Sequence, residues 1–237
     1  MPRMKTNPGE VVVSYLPYTH SFEQILFAFA IFSQFRIGFY SGDPLRLVED
    51  CGILRPHVFP SVPRLYNKIY AKLQARFGEA TGVKKWLVNN AMAKKQANYA
   101  RDGSLTACCY DKIVFKKVRA LLGGNVRYML TGSAPITRDV IEFLKVSFSC
   151  PIIEGYGLTE SAAGSCITHP DDAVTGHVGG PTECVKIRLK DLPDMSYMSS
   201  DTPYPRGEIC LKGPSIFSGY YKRSDKTAEA FDSEGWF

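Results

Sequence analysis

The heptapeptide Glu154–Glu160 combines residue types that suit a nucleotide. Gly155 and Gly157 flank an aromatic residue, and glycine lets the backbone approach a ligand closely. Between them, Tyr156 offers the flat face of its ring to a planar base. These three residues therefore predict one wall of a binding site for a purine.

Two polar residues close the same heptapeptide. Thr159 offers a hydroxyl and a backbone N–H, and Glu160 offers a carboxylate of the kind that binds Mg²⁺. The apolar residues 151–153 before it predict a short buried strand. A strand, a glycine turn and a carboxylate indicate a nucleotide–magnesium site. A strand-to-helix turn that needs glycine only for its geometry accounts for the spacing equally well.

A second glycine-containing loop, 131–135, also follows a predicted strand, at 126–130. A helix that begins near Ile136 separates the two loops. Because the carboxyl ends of parallel strands meet at one edge of a sheet, we expect the loops at 131–135 and 154–160 to face one ligand. The alternation of strands and helices predicts an α/β fold, a parallel sheet with flanking helices.

Other segments extend this pattern. Strands are predicted at 11–16, 36–40 and 57–60, and helices at 22–35, 63–78, 83–101 and 106–122. Ser61 is predicted to cap the helix that opens near Pro63. The helix at 106–122 is predicted to bury an apolar stripe of Tyr110, Ile113, Val114, Val118 and Leu121.

The pattern of predicted elements changes after residue 168. Strands at 185–189 and 208–212 are joined by a long polar stretch, which predicts a β-rich subdomain. We therefore expect an α/β part at 1–168 and a β-rich continuation of the same domain at 169–237.

Charge and cysteine content exclude several classes of protein. The seven cysteines show no Cys-x-x-Cys spacing, so neither a zinc site nor a disulfide framework is expected, and a reducing compartment fits. Residues 55–119 hold fourteen Lys or Arg against three acidic residues. This excess indicates either solvated helix faces or a surface for anionic phospholipids or coenzyme A phosphates. No nucleic-acid-binding motif is present, and no apolar run is long enough to span a bilayer.

Five motifs together resemble one family. The heptapeptide is similar to the Tyr-Gly-x-Thr-Glu signature of the adenylate-forming enzymes, which include acyl-CoA synthetases, luciferases and peptide-synthetase adenylation domains. Segments in the family's order resemble its other motifs, at 16–23, 58–66, 131–135 and 206–237. The stretch at 58–66 resembles the long-chain fatty acyl-CoA synthetases in particular, so the resemblance implies that branch.

The resemblance implies a reaction and its substrates. A long-chain fatty acid–CoA ligase uses ATP and Mg²⁺ to form an acyl-adenylate, releases pyrophosphate, and transfers the acyl group to coenzyme A. The expected partners are a fatty acid, ATP and coenzyme A, without nucleic acid. The expected location is intracellular, on the cytoplasmic face of the endoplasmic reticulum or at peroxisomes, with peripheral contact to an anionic membrane.

The resemblance also implies residue roles. Glu160 is expected to help hold Mg²⁺, Thr159 to contact the α-phosphate, and Tyr156 to stack on adenine. The purine pocket is expected to be lined by Gly132, Ser133, Ala134, Pro135, Glu154, Gly155 and Gly157. His20 is expected near the acyl carboxylate, although a histidine at the start of an apolar helix also serves as a cap or a packed core residue.

Several family features are missing from these 237 residues. No Gly/Ser/Thr-rich phosphate loop precedes Leu16, no His-Thr-Gly-Asp follows Phe237, and the C-terminal domain with its catalytic lysine is absent. We therefore expect an internal fragment of the large N-terminal domain. The alternative is a non-catalytic nucleotide- or acyl-binding remnant that acts by binding only.

Overall fold

The computed structural model describes residues 4–237, and most of its strands form one sheet. These strands are β1 (Val11–Ser14), β2 (Arg36–Phe39), β3 (Val58–Ser61), β4 (Tyr128–Thr131), β5 (Ile152–Tyr156), β6 (Cys166–Ile167) and β7 (Gly180–Pro181). Their order across the sheet is β2-β1-β3-β4-β5-β6-β7. The pairs among β1–β5 are parallel, whereas β6 and β7 pair antiparallel at one edge.

Helices connect and cover these strands. In chain order they are α1 (Ser21–Phe32), α2 (Leu47–Leu54), α3 (Pro63–Gly78), α4 (Gly82–Asp102), α5 (Cys108–Tyr110), α6 (Lys116–Arg119), α7 (Arg138–Phe148) and α8 (Ser224–Ala230). Pro63 opens α3 because the N–H that proline lacks would be unpaired in the first turn. Gly103 ends α4 with φ at 73°, a left-handed conformation that glycine adopts without strain.

The sheet carries a hydrophobic core on each face. Phe59 and Met129 belong to the larger core, which α2, α3, α4, α6 and α7 cover. Their neighbours Val58 and Leu130 belong to the smaller core, which α1 covers. Because successive residues of a strand face opposite sides, the sheet forms a central layer with helices on both faces. The predicted α/β architecture is thus confirmed.

The prediction that Ser61 caps α3 is wrong. Ser61 is the last residue of β3 and is fully buried, and its hydroxyl accepts a hydrogen bond from Tyr15 Oη at 2.7 Å. Val62 takes the N-cap position and contributes no side-chain hydrogen bond. The strand runs one residue further than predicted, so the serine lies too early to reach the first turn of the helix.

The predicted helix at 106–122 is a helical stretch of changing pitch. A π-helical turn, Asp111–Phe115, lies between α5 and α6, and a 3₁₀ turn follows at Ala120–Leu122. Phe115 and Leu122 are buried, whereas Ile113 is 55% exposed. The prediction that Ile113 belongs to the buried stripe is wrong, because the wider turn shifts the face that a period of 3.6 residues assigns.

A two-stranded hairpin lies in the C-terminal part of the chain. β8 (Lys186–Lys190) and β9 (Glu208–Lys212) match the strands predicted at 185–189 and 208–212 to within one residue, and they pair antiparallel. The Arg188 guanidinium contacts the carboxylates of Asp232 and Glu234 and lies 4.6 Å from the Trp236 ring centroid. The C-terminal segment is therefore held against the hairpin. The division of the domain at residue 168 stays a prediction.

Candidate active site

The two glycine-containing loops meet at one edge of the sheet. β4 and β5 are parallel neighbours, with Thr131 opposite Glu154, so the segments that follow them leave the sheet side by side. Residues 131–136, 154–158 and 176–178 line a cavity of about 430 Å³ between them. The structure thus brings seven predicted cofactor-binding residues and Tyr156 to one cavity: Gly132, Ser133, Ala134, Pro135, Glu154, Gly155 and Gly157.

The two glycines of the heptapeptide differ in how much room their surroundings leave for a side chain. A Cβ at Gly157 would overlap the backbone of Ala163, so packing alone demands glycine there. A Cβ at Gly155 would lie 3.5 Å from the Cys166 carbonyl oxygen, an ordinary contact. The turn geometry therefore requires glycine at position 157. At position 155 there is room for a Cβ, so packing does not require glycine there.

Tyr156 ends β5 beside this cavity. It pairs with Cys166 across the antiparallel edge, and its side chain is half-buried. Burial raises the pKa of the Tyr156 hydroxyl, so the group stays neutral near pH 7. The ring is therefore an uncharged surface at the cavity wall.

Glu154 lies deeper in the same wall. It is 9% exposed, and its backbone N–H donates to Thr168 Oγ1 at 2.9 Å. Burial raises the pKa of the Glu154 carboxyl, while the electrostatic effects of Lys145 and His177 act in the opposite direction.

Behind the cavity lies a polar cluster that the sequence did not predict. Lys145 of α7 is 5% exposed, and its Nζ donates to Tyr99 Oη at 3.3 Å and to the Asp172 carbonyl oxygen at 3.2 Å. His177 Nε2 lies 3.3 Å from Asp172 Oδ2, and His177 also lines the cavity. Burial lowers the pKa of Lys145. Its position four residues after the buried Ile141 was the available signal, since that spacing puts a lysine on the inner face of a helix.

Thr159 and Glu160 lie beyond the cavity, in a 3₁₀ turn at Thr159–Ser161. The Glu160 carboxylate accepts a hydrogen bond from Tyr220 Oη at 2.9 Å, and its carbonyl oxygen accepts one from the Phe217 N–H at 2.8 Å. The bond to Glu160 raises the pKa of the Tyr220 hydroxyl. The structure thus separates the predicted metal ligand from the predicted base-binding wall and ties it to the segment after the hairpin.

His20 lies apart from both. It is the N-cap of α1, and its Nδ1 accepts a hydrogen bond from the Phe22 N–H at 3.1 Å. This is the capping role that the sequence left open. Its predicted role near an acyl carboxylate stays a prediction.

A second cavity lies on the other side of the β5 end. It has a volume of about 310 Å³ and an apolar lining, to which α1 contributes Phe22, Ile25, Leu26 and Phe29. Thr131 and Gly155 line both cavities. The first cavity is lined by polar and apolar residues, among them Ser133, Glu154 and His177, and it shares one wall with the apolar second cavity.

Metal binding by the protein alone is not supported in the described part of the chain. Within residues 4–237, no group of three or more His, Cys, Asp or Glu side chains could hold a metal ion. Every helix in the same range falls short of the length or apolarity needed to cross a bilayer.

Comparison with known proteins gives consistent results. The chain is 42% identical over 230 residues to long chain acyl-CoA synthetase 7, peroxisomal, of Arabidopsis thaliana, covering 97% of this chain and 33% of that protein. It is 41% identical over 230 residues to long-chain-fatty-acid–CoA ligase 1 of Homo sapiens, covering 97% and 32%. The chain thus spans about a third of the length of these relatives.

A solved structure with this fold contains ligands. The A domain of carboxylic acid reductase from Segniliparus rugosus, in complex with AMP and a co-purified carboxylic acid, has a TM-score of 0.67 and 26% identity. The match covers 95% of this chain and 31% of that one. Residues 1–221 match the family model described as AMP-binding enzyme. By fold and by sequence, this chain belongs to the AMP-binding enzyme family.

Proposed function

We propose that this chain carries the nucleotide- and acyl-binding part of a long-chain fatty acid–CoA ligase. The observation that carries the proposal is the pair of cavities that share Thr131 and Gly155. An acyl-adenylate has a polar nucleotide end and an apolar acyl end. This matches a cavity that contains the polar side chains of Ser133, Glu154 and His177 and is joined at one wall to an apolar cavity. Residues 1–168 and 169–237 are proposed as two parts of one AMP-binding domain.

The proposed reaction has two steps. An oxygen of the fatty acid carboxylate attacks the α-phosphorus of ATP, and pyrophosphate leaves. The thiol of coenzyme A then attacks the acyl carbon, and AMP leaves. The protein contributes mainly by holding these groups in line and by balancing charge.

The nucleotide half is assigned to the cavity between the two glycine-containing loops. Tyr156 stacks on adenine, and the segment 132–135 forms the opposite wall of the purine pocket. Glu154 and Gly155 shape the wall on the side of β5, and Thr159 contacts the α-phosphate. The position of Tyr156 at the end of β5, in the cavity wall, and the cavity volume of about 430 Å³ support this assignment.

Glu160 is proposed to help hold Mg²⁺. Protein sites usually bind this ion through one or two carboxylates together with substrate phosphates, so a single carboxylate fits. Glu160 is partly exposed, and its bond to Tyr220 occupies only Oε1. When bound, Mg²⁺ would offset negative charge on the phosphates of ATP.

The acyl half is assigned to the apolar cavity. Its α1 lining begins two residues after His20, which is proposed to lie near the acyl carboxylate. This role requires His20 to exchange its hydrogen bond with the Phe22 N–H for one with substrate.

Binding of a non-hydrolysable acyl-adenylate analogue tests the shared wall. By calorimetry, the purified chain is expected to bind the analogue more tightly than AMP or the fatty acid alone. Gly155→Ala adds one methyl group where a Cβ meets only ordinary contacts, so the fold is expected to persist. The added methyl is expected to weaken analogue binding by roughly 5- to 150-fold, the scale of about 1–3 kcal/mol for overpacking.

AMP and the fatty acid are also measured separately with that variant, since each occupies one cavity and Gly155 lines both. A loss of affinity confined to one of these two ligands would contradict the shared wall. Catalysis is tested in a ligase of the relatives' length that contains this chain, assayed for fatty-acid-dependent pyrophosphate release. A protein that binds the analogue but releases no pyrophosphate would support the alternative, a protein that acts by binding only.

Contact with an anionic membrane is also proposed. The excess of Lys and Arg between residues 55 and 119 supports it, because anionic lipids attract such surfaces. Location at peroxisomes or on the endoplasmic reticulum is proposed with it, and the similarity to long chain acyl-CoA synthetase 7, peroxisomal, of Arabidopsis thaliana supports the first of these.

A further inference from the structure

Two adjacent cysteines stand out on the surface. Cys108 and Cys109 are free and exposed, and their Sγ atoms lie 4.0 Å apart. The other free cysteines are Cys51, Cys150, Cys166, Cys184 and Cys210, of which Cys184 alone is exposed. The pair therefore offers two accessible thiols at one point, which no function proposed above uses.

The pair opens a helical stretch with a cationic outer face. Lys112, Lys116 and Lys117 are exposed, and within residues 4–237 none of them forms an ion pair. Ile113 is 55% exposed between them, while Phe115 faces the core. The stretch is amphipathic, and its outer face begins with the two thiols.

Neighbouring elements extend this face. Ile113 and Lys117 share a groove of about 450 Å³ with Arg76 and Lys84, and Glu79 is the acidic residue in its lining. In the first turns of α4, Val83 is 81% exposed and Trp86 is 63% exposed. Lysines combined with exposed tryptophan and aliphatic side chains are typical of surfaces that lie at a bilayer interface.

We propose that Cys108 and Cys109 form a site of reversible S-acylation by a long-chain acyl-CoA, and that the attached chain and the lysine face together hold the protein on an anionic phospholipid membrane. The thiolate sulfur attacks the carbonyl carbon of the acyl-CoA. The bond between that carbon and the coenzyme A sulfur breaks, and coenzyme A leaves as a thiolate that takes up the proton. One thioester replaces another, so no oxidant or reductant takes part.

Neither the acyl chain nor the lysine face is sufficient alone for stable membrane anchoring. A single acyl chain gives only marginal, reversible membrane binding, and stable anchoring requires a second signal such as a basic patch. Each lysine near an anionic surface strengthens binding by roughly fivefold. Lys112, Lys116 and Lys117 together therefore contribute on the order of 100-fold, which suits them to be the second signal.

Metabolic labelling tests the modification. The 237-residue chain is expressed in eukaryotic cells with an alkyne-tagged long-chain fatty acid, and hydroxylamine-sensitive label is measured on the purified protein. The wild-type chain is expected to carry label, and the Cys108→Ser/Cys109→Ser variant to lose at least ~90% of it. Cys184→Ser removes the other exposed thiol and is expected to label like wild type. Undiminished label in the double variant, an unlabelled wild type, or a Cys108–Cys109 disulfide in the purified protein would each overturn the proposal.

Vesicle flotation tests the lysine face. The acylated chain is expected to float with phosphatidylserine-containing vesicles, and Lys112→Gln/Lys116→Gln/Lys117→Gln to lower its partition on the order of 100-fold while keeping the label. Equal partition of the two acylated proteins would overturn the role of the lysines. Tyr156→Ala is expected to label and float like wild type, because the cells supply the acyl-CoA. Acylation and the proposed ligase function can therefore fail independently.

Discussion

Tyr156 carries the first residue-level prediction. If its ring stacks on adenine, Tyr156→Ala is expected to raise the dissociation constant for ATP by roughly 5- to 150-fold, since base–aromatic stacking is worth about 1–3 kcal/mol. Tyr156→Phe keeps the flat face and is expected to change it much less. Calorimetry with ATP measures both. A large fall in melting temperature with unchanged ATP affinity would instead make Tyr156 a packing residue.

Glu160 carries the second. In a full-length ligase that contains this chain, Glu160→Gln is expected to lower turnover by about 10²-fold or more, the scale of losing one charge-stabilising group. Tyr220→Phe is the matched control, because it removes the hydrogen bond at Oε1 and keeps the carboxylate. Turnover is measured at saturating ATP and Mg²⁺. If Tyr220→Phe lowers turnover as much as Glu160→Gln does, the carboxylate acts mainly by fixing the segment around Tyr220.

Residues of the site differ in how far the sequence could predict them. The loops at 131–135 and 154–160 were predicted because each follows an apolar strand and contains glycine. The cluster of Lys145, Asp172 and His177 was not predicted. The spacing from Ile141 places Lys145 on the inner face of α7, but its proximity to the other two depends on how the segment after β6 crosses α7. A distance in space of 3.3 Å between His177 and Asp172 has no signature in residue spacing.

At the scale of elements, the turn after β5 depends on Gly157. Gly157→Ala is expected to lower stability by about 1–3 kcal/mol or more, because the added Cβ overlaps the backbone of Ala163. Gly155→Ala, two residues earlier, is expected to be nearly neutral. Urea unfolding of both variants measures the difference. Equal stability of the two would show that the turn relaxes around residue 157.

A buried ion pair links three elements. Lys95 of α4 is fully buried, and its Nζ donates to Asp111 Oδ1 at 2.9 Å and to Ser149 Oγ at 2.6 Å. Asp111→Asn leaves the Lys95 charge without its carboxylate and is expected to cost about 3–5 kcal/mol. Lys95→Met/Asp111→Asn removes both charges and is expected to cost less. Equal losses in urea unfolding would contradict coupling between the two groups.

The ion pair between Lys95 and Asp111 also predicts that the stability of the fold depends on pH. Burial opposes ionisation of Asp111, but hydrogen bonds from the Ala107 N–H and the Lys95 ammonium outweigh it and hold the pKa of Asp111 below its ordinary value of 3.8. The ionised carboxylate therefore stabilises the fold above pH 3.8, and this contribution is lost as the pH falls through the lower folded-state pKa. Asp111→Asn is expected to flatten that part of the stability curve, which acid titration of the melting temperature measures.

Element prediction failed where the helical period changes. The pattern at 106–122 was sufficient to predict a helix, and Val114 and Val118 are buried as expected. The π-turn at Asp111–Phe115 cannot be derived from apolar spacing, because it depends on how Asp111 and Phe115 pack against α4. One extra residue in the helical turn is enough to move Ile113 to the surface.

For the whole molecule, the order of strands and helices along the chain was enough to predict the fold class. Parallel strands joined by helices have few alternative arrangements, so the central sheet follows from the pattern. The docking of the C-terminal segment was not predictable. It depends on Arg188 reaching Asp232 and Glu234, and on paired backbone hydrogen bonds between Leu211 and Phe237.

The shared wall at Gly155 has a thermodynamic consequence. If a ligand in one cavity shifts this part of β5, it changes the affinity of the other cavity by some factor. Linkage requires the second ligand to change the affinity for the first by the same factor, whichever binds first. The two cavities would then be coupled through the peptide at Gly155. An acyl chain of unsuitable length would lower the affinity of the protein for the nucleotide.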